Sequence, residues 1–335
     1  MLISWNTTGK CNLYCKHCYR SSGPNTEISD ELGLTEGKKL LEEMKNAGFR
    51  IIIFSGGEPL LRDDIFQLTE YAANLGLRPV FGTNGLLLNQ ENVLRLKQAG
   101  AAGVAVSLDS PTPEFHNKFR QKDDAFKRAV EGIRTARSAG LKVQINMTLT
   151  RENFSFFGQM TEFAGELAVQ ALHPFFLVPT GRGRDIEKES LRKKKYFSMI
   201  NEALEAHKNL SLEIKPTCAP QFMPLAREMG LDLRFTRGCL AGISYCCILP
   251  NGDVHICPYL PVKVGNIREK SFVKIWRESK AFLRLRDNSE YEGECGVCEH
   301  LDICGGCRAR AYYYTGGNYM AADPWCFKGQ GETYG

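Results

Sequence analysis

No apolar run in this 335-residue chain approaches the length of a membrane span, and its charge is nearly balanced, with 43 Lys and Arg against 38 Asp and Glu for a net charge of +5. The first absence excludes a membrane-spanning helix. The second does not imply a nucleic-acid partner, although a mild positive excess suits a small anionic substrate. No secretory leader is expected, because Lys10 and Cys11 interrupt the first apolar stretch too early. Without export, the 13 cysteines, an odd number, do not predict a closed set of disulfides. They predict metal binding or redox chemistry in a cytoplasmic protein. With 43% apolar residues the chain has enough for a large core, and α/β barrels of this length occur as one piece.

What is present begins at Cys11-Asn-Leu-Tyr-Cys15-Lys-His-Cys18-Tyr, a C-x3-C-x2-C spacing. Three thiolates this close can hold three corners of a [4Fe–4S] cube and leave one iron open, whereas a cluster that only carries electrons ordinarily has four protein ligands. A zinc site is the alternative, with His17 as its fourth ligand. The spacing, directly after the apolar segment Leu2–Thr8, resembles the radical S-adenosylmethionine (SAM) superfamily. That resemblance implies that the open iron chelates SAM and that reductive cleavage of SAM gives a 5′-deoxyadenosyl radical.

Strand and helix patterns alternate over the first two-thirds of the chain. Strands are predicted at 2–8, 50–54, 78–81, 103–108, 141–149 and 169–178, and helices at 35–47, 63–75, 90–99, 124–139, 154–167 and 190–207. Alternation of this kind implies a parallel sheet with right-handed crossovers. Six units match the partial (β/α)6, TIM-like barrel of radical SAM enzymes. The expected class is α/β, with a barrel over residues 1–210 and a small cysteine-rich domain over 211–335. Active residues of such barrels sit at the C-terminal ends of strands. Strand two runs into Gly56-Gly57-Glu58-Pro59, strand three into Thr83 and Asn84, strand four into Ser107, and strand five carries Asn146. By resemblance, the Gly-Gly-Glu-Pro segment binds the SAM amino group, the other strand-end residues hold its carboxylate and ribose, and Arg120 faces its carboxylate. For each residue alone, a turn, cap or solvated charge is the alternative.

From Cys218 onward the βα rhythm stops and ten cysteines follow. Cys295-x2-Cys298-x5-Cys304-x2-Cys307, preceded by Cys239 and by Asn251-Gly252 with Cys257, and followed by Cys326, resembles the SPASM extension of radical SAM enzymes. Its third element is one residue short of the usual pattern. The Asn251-Gly252 pair is a hairpin signal. The resemblance implies an outer auxiliary iron–sulfur cluster on Cys295, Cys298, Cys304 and Cys326, and an inner one on Cys239, Cys257 and Cys307. Cys218 is the first choice for the fourth inner ligand and Cys246 the second; an open inner iron, a single auxiliary cluster and zinc knuckles stay open. Cys247 reads as a buried apolar residue.

Ser4-Trp-Asn-Thr-Thr8, Phe176–Arg184, Thr217–Pro220, Gly238–Gly242 and Cys304–Ala311 resemble the SPASM branch that trims porphyrin side chains on siroheme-dependent haem routes. The resemblance implies oxidative decarboxylation of iron-coproporphyrin III propionates to vinyls. Deacetylation of didecarboxysiroheme, another tetrapyrrole side-chain reaction of the NirJ type, a peptide-modifying maturase and a non-catalytic iron–sulfur electron carrier are the alternatives. Peptide maturases commonly carry a recognition domain before the first cysteines, and only ten residues stand there. Arg182, Arg184, Arg308 and Arg310 are candidate partners of substrate carboxylates, since guanidinium and carboxylate match bidentately. His173 is a candidate axial ligand or proton donor, with a hydrogen-bonded core histidine as the alternative; His255 is read the same way. A reducing partner such as ferredoxin or flavodoxin is expected, and no nucleic-acid or membrane partner.

Overall fold

A computed structural model describes residues 1–27 and 29–326. Six strands run parallel in the order of the chain: β1 (Leu2–Thr8), β2 (Ile51–Gly56), β3 (Arg78–Thr83), β4 (Gly103–Ser107), β5 (Lys142–Leu149) and β6 (Ala171–Phe176). Helices α1 (Leu34–Asn46), α2 (Ile65–Asn74), α3 (Gln90–Gln98), α5 (Ala125–Ser138) and α6 (Phe157–Glu166) are the crossovers, and α7 (Lys193–Asn209) follows β6. The helix α4 (Pro113–Arg120), between β4 and α5, is an addition to the expected units.

The helix stops explain the regular rhythm. α1, α2, α3 and α5 are each followed by a glycine with positive φ, at positions 48, 76, 100 and 140, where the left-handed conformation ends a helix without a Cβ penalty. After α6 the same place is taken by Ala168, at φ +49°. One face of each strand is buried under helices: Trp5, Ile52, Phe54, Phe81, Val106, Ile145 and Leu172 are at most marginally exposed. α1 closes on this layer through Gly37, where a Cβ would lie 2.7 Å from the Trp5 ring. Burying side chains such as Leu40, Leu41 and Met44 of α1 stabilises by about 1.5–3 kcal/mol each. The opposite face is polar and more open. Ser4 Oγ lies 3.1 Å from Ser55 Oγ, Asn6 Nδ2 donates to Ser55 Oγ at 2.9 Å, and Ser107, Asn146 and His173 stand side by side in register.

The cysteine-rich region does not build a sheet of its own. A short strand β7 (Glu213–Ile214) pairs with β6. On the other edge β8 (Tyr245–Ile248) pairs parallel with β1, and β9 (Asp253–Cys257) and β10 (Leu260–Asn266) follow antiparallel. One ten-stranded sheet therefore crosses the expected boundary at 210/211, in the order β10-β9-β8-β1-β2-β3-β4-β5-β6-β7. The Asn251-Gly252 turn is present, with Gly252 at φ +85°. No helix among the described residues is long and apolar enough to cross a membrane.

Where β2 ends, the chain crosses the backbone that leaves β1. Gly57 N donates to Thr8 O at 2.7 Å and Glu58 N to Lys10 O at 2.9 Å. A Cβ on Gly57 would stand 2.0 Å from Lys10 O. Gly57→Ala should therefore destabilise the protein by about 1–3 kcal/mol, as forced overpacking does. Gly158→Ala, on α6 where a Cβ meets nothing within 4 Å, should be neutral or stabilising by up to about 1 kcal/mol. Denaturant unfolding of the two variants measures the contrast; equal midpoints would contradict it.

Candidate iron–sulfur and SAM site

The loop after β1 carries Cys11 and Cys15, 8% and 7% exposed, and the half-buried Cys18. It is held from several sides. Cys11 N donates to Gly23 O at 3.1 Å, Lys16 N to Phe119 O at 3.1 Å, and Arg182 Nε to Cys15 O at 2.9 Å. Two side chains reach the sulfurs: Asn84 Nδ2 lies 3.9 Å from Cys11 Sγ, and Arg120 Nη1 lies 3.7 Å from Cys15 Sγ. Burial pushes the Cys11 thiol up to about 12, with the charges of Glu58, Cys15 and Cys18 adding to it. Metal ligation requires the thiolate and replaces the proton. His17 is stacked on Phe119 with ring centroids 4.1 Å apart, and burial lowers its pKa to about 3.

Glu58 is engaged within the protein. Its side chain is fully buried and accepts from Thr83 Oγ1 at 2.8 and 3.0 Å, Asn84 N at 2.9 Å and Leu60 N at 3.3 Å. Its carboxylate ties the end of β3 to the end of β2. Arg120 is likewise engaged, with Nε 2.6 Å from Asp109 Oδ2. Burial alone would raise the Asp109 carboxyl, but Arg120 and His116 hold it well below the usual carboxylate range. Ser107 and Asn146 lie at neighbouring strand ends on the open face, with Gln144 Nε2 donating to Asn146 Oδ1 at 2.6 Å.

His173 is not an open ligand. Its Nδ1 lies 3.0 Å from Gln144 Nε2 and its Nε2 3.3 Å from Glu213 Oε1, and burial lowers its pKa. Arg182 bonds Cys15 O and Ser22 O and lies over the Tyr14 ring at 3.9 Å, but its buried Nη1 has no hydrogen-bond partner. Two of the four arginines assigned to substrate are committed elsewhere. Arg308, 1% exposed, donates to Tyr319 O, Ala321 O and Cys295 Sγ, the last at 3.5 Å. Arg310, fully buried, makes a bidentate pair with Asp323 at 2.7 and 2.6 Å. A charge in the sequence does not show which carboxylate neutralises it, and Asp323 lies in a stretch without a periodic pattern. Arg184 is exposed.

Cys295, Cys298, Cys304 and Cys326 together line one pocket, with Gly305, Gly306 and Asp323 among its walls. By contrast, no three His, Cys, Asp or Glu side chains among the described residues converge on a single-ion site. His300 N donates to Cys298 Sγ at 3.4 Å. Cys218, Cys239, Cys257 and Cys307 form the second group: after burial, the charges of Cys218, Cys239 and Cys307 all push the Cys257 thiol up, and Cys307 and Cys239 act on Cys218. Cys218 has φ +60°, a conformation uncommon for a residue with a Cβ. Cys246 stands in register with Ile3, on the helix-covered face, and is therefore turned away from Cys257, which shares a face with His255 and Cys247. The donor set, buried thiols with N–H groups aimed at the sulfurs, is that of iron–sulfur ligation.

A parallel βα barrel with a three-cysteine loop at the end of its first strand, extended by a second cysteine array, defines an iron–sulfur enzyme of the SAM-cleaving type. Residues 5–164 match the radical SAM superfamily, and residues 239–300 match the SPASM iron–sulfur cluster-binding domain. The chain is 39% identical to the AdoMet-dependent heme synthase of Methanosarcina barkeri, over 99% of this chain and 97% of that protein. It is 31% identical to the Fe-coproporphyrin III synthase of the same organism, over 97% and 87%. Streptococcus suis SuiB bound to S-adenosylmethionine has the same fold, with a TM-score of 0.77 and 19% identity over 97% of this chain and 77% of that one. The chain belongs to the radical SAM superfamily, in its SPASM-containing group. It is an enzyme that uses SAM and iron–sulfur clusters.

Two measurements test the site. Burial raises the Glu58 carboxyl from 4.5 to about 7 against the bonds from Asn84, Thr83 and Leu60. A folded-state value above the unfolded one contributes stability below about pH 4.5 that is lost as pH rises through about 7. Glu58→Gln, which mimics the protonated acid, should flatten this fall by about 3 kcal/mol, at about 1.4 kcal/mol per unit, in urea unfolding across that range. Cys218→Ser should lose one auxiliary cluster's worth of iron and sulfide per chain, whereas Cys246→Ser should retain it; the reverse would reassign the inner site.

Proposed function

We propose that this enzyme oxidatively decarboxylates propionate side chains of iron-coproporphyrin III to vinyls on a siroheme-dependent haem route. The observation that carries the reading is the full-length similarity to an AdoMet-dependent heme synthase, 39% against 31% for the Fe-coproporphyrin III synthase of the same organism. The site geometry is consistent with it. Cys11, Cys15 and Cys18 hold the SAM-cleaving cluster, Cys295, Cys298, Cys304 and Cys326 the outer auxiliary cluster, and Cys218, Cys239, Cys257 and Cys307 the inner one. SAM lies against the strand ends at Gly56, Gly57, Pro59, Asn84, Ser107 and Asn146.

When bound, the cluster and SAM supply a 5′-deoxyadenosyl radical, which can take hydrogen from an unactivated CH2 as an acid–base pair cannot. The chain's own residues position and shield. Glu58 ties the ends of β2 and β3 together without contributing a charge to the open face. Arg120, fixed by Asp109, places a cation beside Cys15. Arg308 and Arg310 do the same for the auxiliary thiols, and a nearby auxiliary cluster is suited to accept the electron that leaves with CO2. The reductant is a ferredoxin or flavodoxin, and the setting is cytoplasmic.

The test is anaerobic incubation of reconstituted enzyme with iron-coproporphyrin III, SAM and dithionite. The expected product is lighter by two CO2 and four hydrogens. Porphyrin of unchanged mass alongside 5′-deoxyadenosine would overturn the reading in favour of another tetrapyrrole or a peptide. Cys15→Ala should abolish 5′-deoxyadenosine formation, and Cys298→Ala should leave part of it.

A further inference from the structure

The two auxiliary thiol groups stand beside arginines in different states. Arg310, next to the inner group, is fully buried and is neutralised by the Asp323 carboxylate through bonds of 2.7 and 2.6 Å. Arg308, next to the outer group, is 1% exposed, and its bonds end on main-chain carbonyls and one sulfur. Nε donates to Gly306 O at 3.3 Å, Nη1 to Tyr319 O at 3.0 Å and Ala321 O at 2.8 Å, and Nη2 to Cys295 Sγ at 3.5 Å. Among the described residues it makes no ion pair. The two carboxylates on the walls of the outer pocket do not serve it: Asp323 is taken by Arg310, and Glu294 is exposed and makes no bond to it.

A buried cation is costly unless something of opposite charge meets it. Carbonyls satisfy the donors of Arg308 but leave its charge in place. Among its acceptors Cys295 Sγ alone can carry a negative charge, and it belongs to the four thiols of the outer pocket. The contact is built in. Gly306, at φ +56°, keeps the space between guanidinium and thiol clear: a Cβ there would collide with Arg308 Nη2 and stand 3.0 Å from Cys295 Sγ. The Tyr291 ring covers the guanidinium at 4.9 Å. The outer group also lies one main-chain bond from the inner, through Cys239 N and Cys304 O at 3.0 Å.

We propose that Arg308 is the counter-ion of the outer auxiliary cluster and raises its reduction potential, so that this cluster is where the electron of the reaction comes to rest. A cation that also donates to a ligand sulfur favours the reduced cluster, which carries one more negative charge. Arg310 offers the inner group a charge already offset by Asp323. The proposal rests on the ligand sets and the decarboxylation reading above. Loss of CO2 from a propionate radical leaves a vinyl group and one electron. The outer cluster is the oxidant that takes it, and its charge falls by one beside a guanidinium already in place.

The test is a redox titration of the reconstituted holoenzyme followed by electron paramagnetic resonance, with iron and sulfide counted, for the wild type, Arg308→Lys and Arg308→Met. In Arg308→Met the midpoint of one auxiliary cluster should move to a more negative value while the others stay. Arg308→Lys, which keeps the charge and loses the planar fork, should move it less. Loss of that cluster in Arg308→Met with retention in Arg308→Lys also supports the assignment, since charge alone separates the two. Full iron content with every midpoint unmoved in Arg308→Met overturns it. So does equal loss of the cluster in both variants, which would make Arg308 a prop of the loop. The titration contains no porphyrin, so failure of the decarboxylation reading shows separately, in the product mass. If Cys298→Ala removes no cluster, the outer ligand set fails and the assignment falls with it.

Discussion

In the proposed ligand sets three groups of thiols give up their protons in places where burial opposes it. Burial, the largest cause in each case, and neighbouring negative charges push the thiols of Cys11, Cys218, Cys257 and Cys307 up, to about 12 for the first and about 11 for the last. A thiolate in such surroundings needs a positive charge or N–H donors close by. The cations are themselves buried, and a buried cation needs its own partner. Much of the site follows from that chain of requirements. Arg120 lies beside Cys15 and is neutralised by Asp109, which also accepts from Thr148 N at 3.0 Å. Arg310 bonds Cys218 O at 2.9 Å and is neutralised by Asp323, which accepts from Cys307 N at 2.8 Å and Gln221 Nε2 at 2.9 Å. Breaking such a pair from one side leaves an uncompensated buried charge, at a cost of about 3–5 kcal/mol. The added helix α4 exists in this scheme to carry Arg120 and His116 back to the end of β4.

The distances between the sites are set by one hydrogen-bond ladder. β1 ends at the first cysteine loop, and its other neighbour, β8, leads into the hairpin that delivers Cys257. A slip of one residue anywhere in β8 or β9 would exchange faces. Cys247, His255 and Cys257 would then turn toward the helices, and Cys246 toward the open side. The first cysteine loop and the hairpin that carries Cys257 thus hang on one sheet, and the spacing between them is as rigid as strand pairing makes it.

What the sequence disclosed was whatever is local. The C-x3-C-x2-C loop, the Gly-Gly-Glu-Pro segment, the strand–helix rhythm and the Asn251-Gly252 turn are each read from neighbouring residues, and each stands in the structure where the pattern puts it. What stayed hidden depends on partners far apart in the chain. Pairing of β8 with β1 joins residues more than two hundred positions apart, so the division at 210/211 could not foresee a shared sheet. Arg308, Arg310 and Glu58 carried obvious charges, but their partners, the carbonyls near Tyr319, Asp323, and the amide of Asn84 together with the Thr83 hydroxyl, come together only on folding.

The backbone at Cys218 makes the same point from another side. A left-handed conformation costs an L-residue with a Cβ about 1–2 kcal/mol, and glycine at this position would remove that cost. Strain of this kind persists only where the surroundings over-determine it, and it gathers at functional sites. Here Arg310 grips the Cys218 carbonyl, and the preceding residues pair with β6, with Thr217 N donating to Pro174 O at 2.8 Å. Held at both points, the chain can aim the side chain of residue 218 toward Cys239, Cys257 and Cys307 only through the strained conformation. Cys246 sits in relaxed strand geometry on the wrong face. In the proposed ligand set the fourth corner of the inner group falls to the cysteine whose backbone bears a cost, because its thiol is the one that stands among Cys239, Cys257 and Cys307.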